Sequence, residues 1–382
     1  MSNRIVSTLL ILTWLIVAVL PAAADGPAGL DWLRTKQAQD GGFAGDFDQA
    51  SSVGATVEAI LAMAALGEDP NAWVQDGNTP LTFLQSQADQ LAMPGDIAKA
   101  ALAAGAAGAD RRDFGGVDLI AALEGHYDPG SGLYGGAELG NVFGQSLTIL
   151  ALTTAGQAAP PAALDWLVNS QLEDGSWSWS GDTTPGGGDS NSTAIALQAL
   201  LAGGYSGEAI ANGLAYLAQL QNEDGGFPYQ KPSDYGTDTD ANSTAYVIQA
   251  LLAGGEDMSN WAQAGTPVEA LQALQKENGA FQWQAAFADD NFLATTQAIP
   301  ALAGLSMVQV VGITPVPAAA EADAPAETDA PATTDAPAAA EAPAQLPASG
   351  GVQAGPVVVL LAGLVLLLAG WAGRRRAGSE VR

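Results

Sequence analysis

Two apolar patterns alternate along the chain. In the first, apolar residues at helical spacing are followed by a glutamine, polar residues, a glycine and an aromatic. It reads LDWLRTKQAQDGGF (30–43), LDWLVNSQLEDGSW (164–177), LAYLAQLQNEDGGF (214–227) and LQALQKENGAF (271–281), with weaker copies at LTFLQSQ (81–87) and LIAALEGHYDPGSGLY (119–134). The second is apolar nearly all round and rich in alanine and leucine: NSTAIALQALLAGG (191–204), NSTAYVIQALLAGG (242–255) and NFLATTQAIPALAG (291–304). SSVGATVEAILAMAALG (51–67), DIAKAALAAGAAG (96–108) and NVFGQSLTILALTTAG (141–156) complete that set.

A helix with one apolar stripe belongs on an outside layer, and one apolar on every side belongs inside. Six of each, alternating, predict an all-α (α/α)6 toroid over residues 25–311, with an open helical solenoid as the alternative. Strand signals are almost absent, because β-branched alternation never extends beyond a few residues. Ser51, Asn191 and Asn242 stand where N-caps are expected, and paired glycines mark the stops.

The two ends read differently. Residues 1–24 carry Arg4, an apolar run from Ile5 to Leu20 and a small-residue site, the pattern of a secretory signal peptide. Residues 312–345 form an acidic Pro/Ala/Thr-rich stretch with almost nothing to bury, predicted to be a disordered linker. Residues 346–382 hold Leu346-Pro347-Ala348-Ser349-Gly350, an apolar segment at 354–371 and Arg374-Arg375-Arg376. That segment is long enough for a C-terminal transmembrane helix. The order of motif, apolar span and basic tail resembles the LPXTG signal of sortase-anchored surface proteins, with serine in place of threonine. Both the sortase product and a single-pass anchor imply an extracellular domain tethered to the membrane or cell wall.

A net charge of −29 argues against nucleic acid as a partner, since there is no basic stripe to meet phosphate. With no cysteine and one histidine, thiolate metal sites and a thiol nucleophile are excluded, and the sequence calls for no cofactor and no metal.

The Q-x-E-D-G-S-W phrase at 171–177 resembles the QW repeat of squalene and oxidosqualene cyclases, shared loosely with protein prenyltransferase β subunits. The D-x-N-S-T-A phrase with the helix after it resembles the toroid of cobalamin carriers such as intrinsic factor and transcobalamin. It is also similar to bacterial surface proteins with prenyltransferase-type repeats. The resemblance spans roughly residues 27–304 and implies the toroid fold. It implies that Gln171, Gln221 and Gln275 bond orphan carbonyls or turn amides, and that Trp177, Phe227 and Phe281 fill the gap between helix layers.

For catalysis the cyclase motif D-x-D-D-T-A aligns with Asp240-Ala241-Asn242-Ser243-Thr244-Ala245, so the acid position holds Asn242, which cannot protonate an alkene. A shifted alignment leaves Asp240 as the acid of an isoprenoid cyclase-like enzyme, one alternative reading. A calcium loop through Asp234, Asp238 and Asp240 lacks the EF-hand spacing, and a capping Asp240 is the plainer expectation. His126 is expected to cap or pack beside its turn.

Polar residues recurring on apolar inner helices are the remaining signal. Gln198 and Gln249 lie seven residues after Asn191 and Asn242, on the same face, with Gln297 and Glu58 near that register. Trp179, Tyr229 and Trp283 follow the repeat aromatics by two residues, and Tyr246 stands near a capped start. These nine site candidates (Asn191, Gln198, Asn242, Gln249, Gln297, Trp179, Tyr229, Tyr246 and Trp283) predict a cavity lining of amides and aromatics for an amphipathic or cofactor-sized small molecule. The resemblance to cobalamin carriers makes a corrinoid the best single guess. An adhesin or cell-wall scaffold is the alternative without a ligand.

Overall fold

The computed structural model describes residues 26–233 and 236–312. Its helices run, in chain order, α1 Gly26–Arg34, α2 Val53–Ala65, α3 Pro80–Gln87, α4 Pro94–Ala106, α5 Leu119–Gly125, α6 Gly136–Leu139, α7 Val142–Thr154, α8 Pro161–Asn169, α9 Ser190–Ala202, α10 Glu208–Leu220, α11 Ala241–Ala253, α12 Pro267–Gln272, α13 Phe292–Leu302 and α14 Met307–Val310. A hairpin of β1 Tyr127–Asp128 and β2 Leu133–Tyr134, absent from the sequence expectation, follows α5. The predicted signal peptide, the linker beyond Gly312, the LPASG-like motif and the 354–371 span lie outside the described residues. Among the described residues no helix is long and apolar enough to cross a membrane.

The ring closes. Helix α2 packs on α4, α4 on α7, α7 on α9, α9 on α11, α11 on α13, and α13 returns to α2, which excludes the open solenoid. Each outer helix packs on the inner helix before it: α3 on α2, α5 on α4, α8 on α7, α10 on α9, α12 on α11, with α1 completing the set on α13. The inner helices are buried almost throughout, as their all-round apolar pattern requires.

Each inner helix is stopped by a left-handed glycine, as at Gly204 (φ 83°) and Gly255 (φ 68°). Tyr205 N donates to Leu200 O and Gly204 N to Leu201 O, the paired closure in which the left-handed residue redirects the chain outward.

The starts move the expected caps Ser51, Asn191 and Asn242 by one or two residues and agree with the expected capping role of Asp240. Asp189 and Asp240 cap α9 and α11, accepting from Ser192 N and Ser243 N, while Asn191 and Asn242 lie inside the first turn. Ser52, not Ser51, caps α2. An aspartate accepts from the third residue onward as an asparagine does.

The glutamine phrase is a staple between repeats. Gln171 Nε2 donates to Gly175 O at 2.8 Å and to Ala209 O at 2.9 Å, joining its own turn to the next outer helix. Gln221 likewise donates to Gly225 O and Trp261 O, and Gln37 to Gly41 O and Trp73 O, the second acceptor here lying in the segment before the next outer helix. Gln275 Nε2 donates to Gly279 O. Gly175 sits at φ 88°, and a Cβ there would stand 2.3 Å from Asn212 O, so no other residue fits. Asp174 Oδ1 accepts from Ser176 N and Oγ, which gives the acid of the phrase its place in the turn.

The following aromatics Phe43, Trp177, Phe227 and Phe281 are fully buried between the layers, a burial of about 2–3 kcal/mol each. Their backbone N–H groups donate to Thr56, Thr193, Thr244 and Thr295 on the inner helices, at 2.9–3.0 Å. The third repeat lacks the outer glutamine. There Gln145 of α7 accepts from Tyr134 N and donates to Gly132 O and Ala163 O, performing both tasks from the inner helix. His126 is the C-cap residue of α5.

Candidate functional site: the lumen and its plug

The inner-helix N-termini gather at one rim, and the loops there are linked in sequence. Val142 N donates to Trp179 O, Ser190 N to Tyr229 O and Ala241 N to Trp283 O, so each helix start is held by the loop of the next repeat. At the seam the acceptor changes. Asp46 takes Phe292 N at 2.5 Å and Leu293 N at 3.1 Å, closing the ring between first and last repeats. Burial raises the Asp46 pKa despite those amides. Trp32 Nε1 donates to Asp290 Oδ2 at 3.1 Å across the same seam.

Inside the ring, the structure brings together four of the nine residues singled out from sequence. Tyr246, Gln249 and Gln297 line one small cavity with Glu58, Leu61, Thr296, Pro300, Met307 and Val310. Asn242 Nδ2 donates to Gln297 Oε1 at 2.9 Å, and Gln297 hydrogen-bonds in turn to the Glu58 carboxylate. A polar chain therefore crosses α11, α13 and α2. Burial pushes the Glu58 pKa up, with Lys99 and Gln297 opposing it, and burial and Glu58 together push Tyr246 well above the ordinary tyrosine range. Tyr246 meets Phe143 edge-on with ring centroids 5.7 Å apart.

Gln249 is 3% exposed, and its Oε1 has no hydrogen-bond partner, nor has Nε2 of the buried Gln198. The unmet capacity of such a buried amide is worth about 1–3 kcal/mol, so these are groups the fold itself leaves unanswered.

The other candidates are elsewhere. Trp179 is 48% exposed at the rim, Tyr229 and Trp283 are half-buried there, and their backbone carbonyls hold the neighbouring helices. Trp283 packs on Phe287, centroids 5.0 Å apart, and not into the cavity. Asn191 is half-buried in the first turn of α9, accepting from Ser190 Oγ. None of these four lines the cavity.

Asp240 holds the start of α11. Its Oδ1 accepts from Ser243 N at 2.7 Å and its Oδ2 from Ser243 Oγ at 3.0 Å, so both oxygens serve the α11 start outside the cavity lining. Burial raises its pKa to about 7, and that of Asp189, identically bonded to Ser192, to about 6.

Sequence reasoning missed what occupies the lumen. After α13 the chain turns back at Gly304, and α14 enters the centre of the ring, packing against α2, α7 and α11. Met307, Val308, Val310 and Val311 are 3–8% exposed. Met307 N donates to Gln198 Oε1 at 3.0 Å, which places this fifth candidate amide under the plug. The cavity left is about 10 Å³, room for a single water and not for a corrinoid. The uncharged apolar run 305–311 directly after a glycine stop was the available signal.

Residues 6–95, 118–234 and 194–310, together more than half of the chain, match the prenyltransferase alpha-alpha toroid domain, and the chain belongs to that family. No curated protein sequence matches it. In fold it is similar to a variant of the type II terpene cyclase MstE from Scytonema in complex with geranylgeranyl dihydroxybenzoate, at 14% identity and a TM-score of 0.55, over 75% of this chain and 97% of that one. It is similar to a UGL variant with dGlcA-Glc-Rha-Glc at 14% identity and a TM-score of 0.50, over 73% and 94% of the two chains. Haptocorrin in complex with Cbi is a more distant likeness, at 15% identity and a TM-score of 0.48, over 75% and 67%. At these identities the likeness is one of fold.

Proposed function

We propose that this chain is a binding toroid that takes an amphipathic small molecule, with a slender apolar portion, into its lumen without transforming it. One observation carries the reading. Gln297, Glu58 and Tyr246 converge from three inner helices on one cavity, with Asn242 bonded to Gln297, beside a buried Gln249 Oε1 that has no partner. Polar groups placed in an apolar interior and left unanswered suit a ligand's polar end, while Leu61, Pro300 and Tyr246 offer apolar wall. A corrinoid is a poorer fit than a slender chain. We further propose that the domain is displayed outside the cell on the acidic linker, a reading supported by the signal-like and LPASG-like sequences at the two ends.

The filled lumen favours a second reading, a surface scaffold whose toroid is only a spacer head. Native mass spectrometry of the purified chain after incubation with a lipid extract separates the two. The binding reading expects one bound amphiphile, lost in the Gln249→Leu, Gln297→Leu double variant. A clean apo mass across repeated extracts would overturn it and leave the scaffold.

A further inference from the structure

We infer that the segment 305–311 is a displaceable plug, and that ligand entry and plug seating compete for the same lumen. The inference rests on the reading of that lumen as a ligand site and adds how the site is regulated.

The segment is held differently from the rest of the domain. The inner helices are joined by side-by-side packing and by the linked rim, whereas α14 is a single turn inserted among α2, α7 and α11. Its side chains Met307 and Val310 form part of the cavity wall opposite Tyr246, Gln249 and Gln297. Polar contact between plug and lumen is sparse. Gln198 Oε1 accepts from Met307 N, but Gln198 Nε2 has no acceptor and Gln249 Oε1 no donor. A segment that answers the apolar wall and leaves two buried amide atoms unanswered is replaceable by a molecule that answers both. The segment is also the last of the ring, entering after Gly304 at φ 73° and leaving at Gly312 at φ 89°. It can therefore withdraw without breaking the α13–α2 closure or any of the glutamine staples. Ring and plug are separate in the chain, so the lumen has an occupied and an open state.

The probe is N-phenyl-1-naphthylamine, a neutral apolar fluorophore that this acidic surface does not repel. It is titrated into the full chain and into a Met307→Asp, Val310→Asp variant, in which two carboxylates would have to sit unpaired beside Glu58 and the segment is driven from the lumen. Far-ultraviolet circular dichroism and a thermal melt verify that the ring remains folded. The account expects the variant to bind at least tenfold more tightly than the wild type. If the aspartates unfold the ring, Met307→Ala with Val310→Ala loosens the seat with less disturbance, and a gain of threefold or more is expected. Equally tight binding by wild type and a folded variant would overturn the plug while leaving the lumen as a site. No binding by either would overturn both.

Discussion

Gln198 on α9 accepts the backbone N–H of Met307 at 3.0 Å, joining residues 109 apart in sequence at the centre of the ring. The contact ties an inner-helix amide to the plug. Gln249, its counterpart two turns into α11, faces the same space without a partner for its Oε1. The lumen is thus a polar-lined site inside a self-filled toroid, with an asymmetry between two equivalent glutamines.

Replacing Gln249 by leucine removes a buried acceptor that nothing answers and substitutes a side chain of similar size. Stability should hold or rise by about 1 kcal/mol, a shift of about 2–4 °C in Tm for a domain of this size. A thermal melt checks it. A fall of several degrees would mean that Oε1 has a structural partner.

Gln221→Glu probes the staples. The glutamine Nε2 donates at 2.8 Å to Gly225 O and at 2.6 Å to Trp261 O, and a glutamate of the same shape offers acceptors to both carbonyls. The loss should be about 2 kcal/mol or more by chemical denaturation. An unchanged midpoint would refute the staple.

Asp46→Ala tests the seam. It strips the acceptors of Phe292 N and Leu293 N, a cap-like loss of about 1–2 kcal/mol. Amide exchange should quicken at Phe292 and Leu293 and not at Ser190 or Ala241, whose acceptors are the Tyr229 and Trp283 carbonyls.

Asp189 and Asp240 set a pH dependence. Their folded pKa values, about 6 and about 7, lie above the ordinary 3.8, so the fold favours the protonated carboxyl. The associated stabilisation is full below about pH 4 and is lost as the pH rises through about 6 and 7. Asp240→Asn keeps a good cap and removes the ionisation. Relative to wild type it should be more stable at pH 8, converging at pH 4 to 5. Parallel stability curves from pH 4 to 8 would contradict the assignment.

The ring itself was legible because its signal is periodic: helices apolar all round alternate with striped ones, and Gln171, Gly175 and Trp177 each follow from the staple geometry. The shift of the cap from Asn191 to Asp189 was less visible, since both residue types cap and lie two apart; at α11 the sequence offered both Asn242 and Asp240, and Asp240 holds the position. Thr193, Thr244 and Thr295 were passed over, although a threonine four residues past each cap was there to be read. For the lumen, helical phase picked Gln249 and Gln297, and Tyr246 was chosen for its place near a capped start. Trp179, Tyr229 and Trp283, chosen for their distance from the repeat aromatics, stand at the rim, because loop residues have no period. Asp46 depends on a contact between opposite ends of the domain, which no local pattern records, and of the plug only the apolar run after Gly304 was there to be read.

The most direct test of a lumen filled by its own chain is amide hydrogen exchange across 305–311, in the free protein and with saturating N-phenyl-1-naphthylamine. The account predicts slow exchange at Met307 when free, from its bond to buried Gln198, and much faster exchange once the probe is bound. Probe bound with Met307 still protected would contradict it.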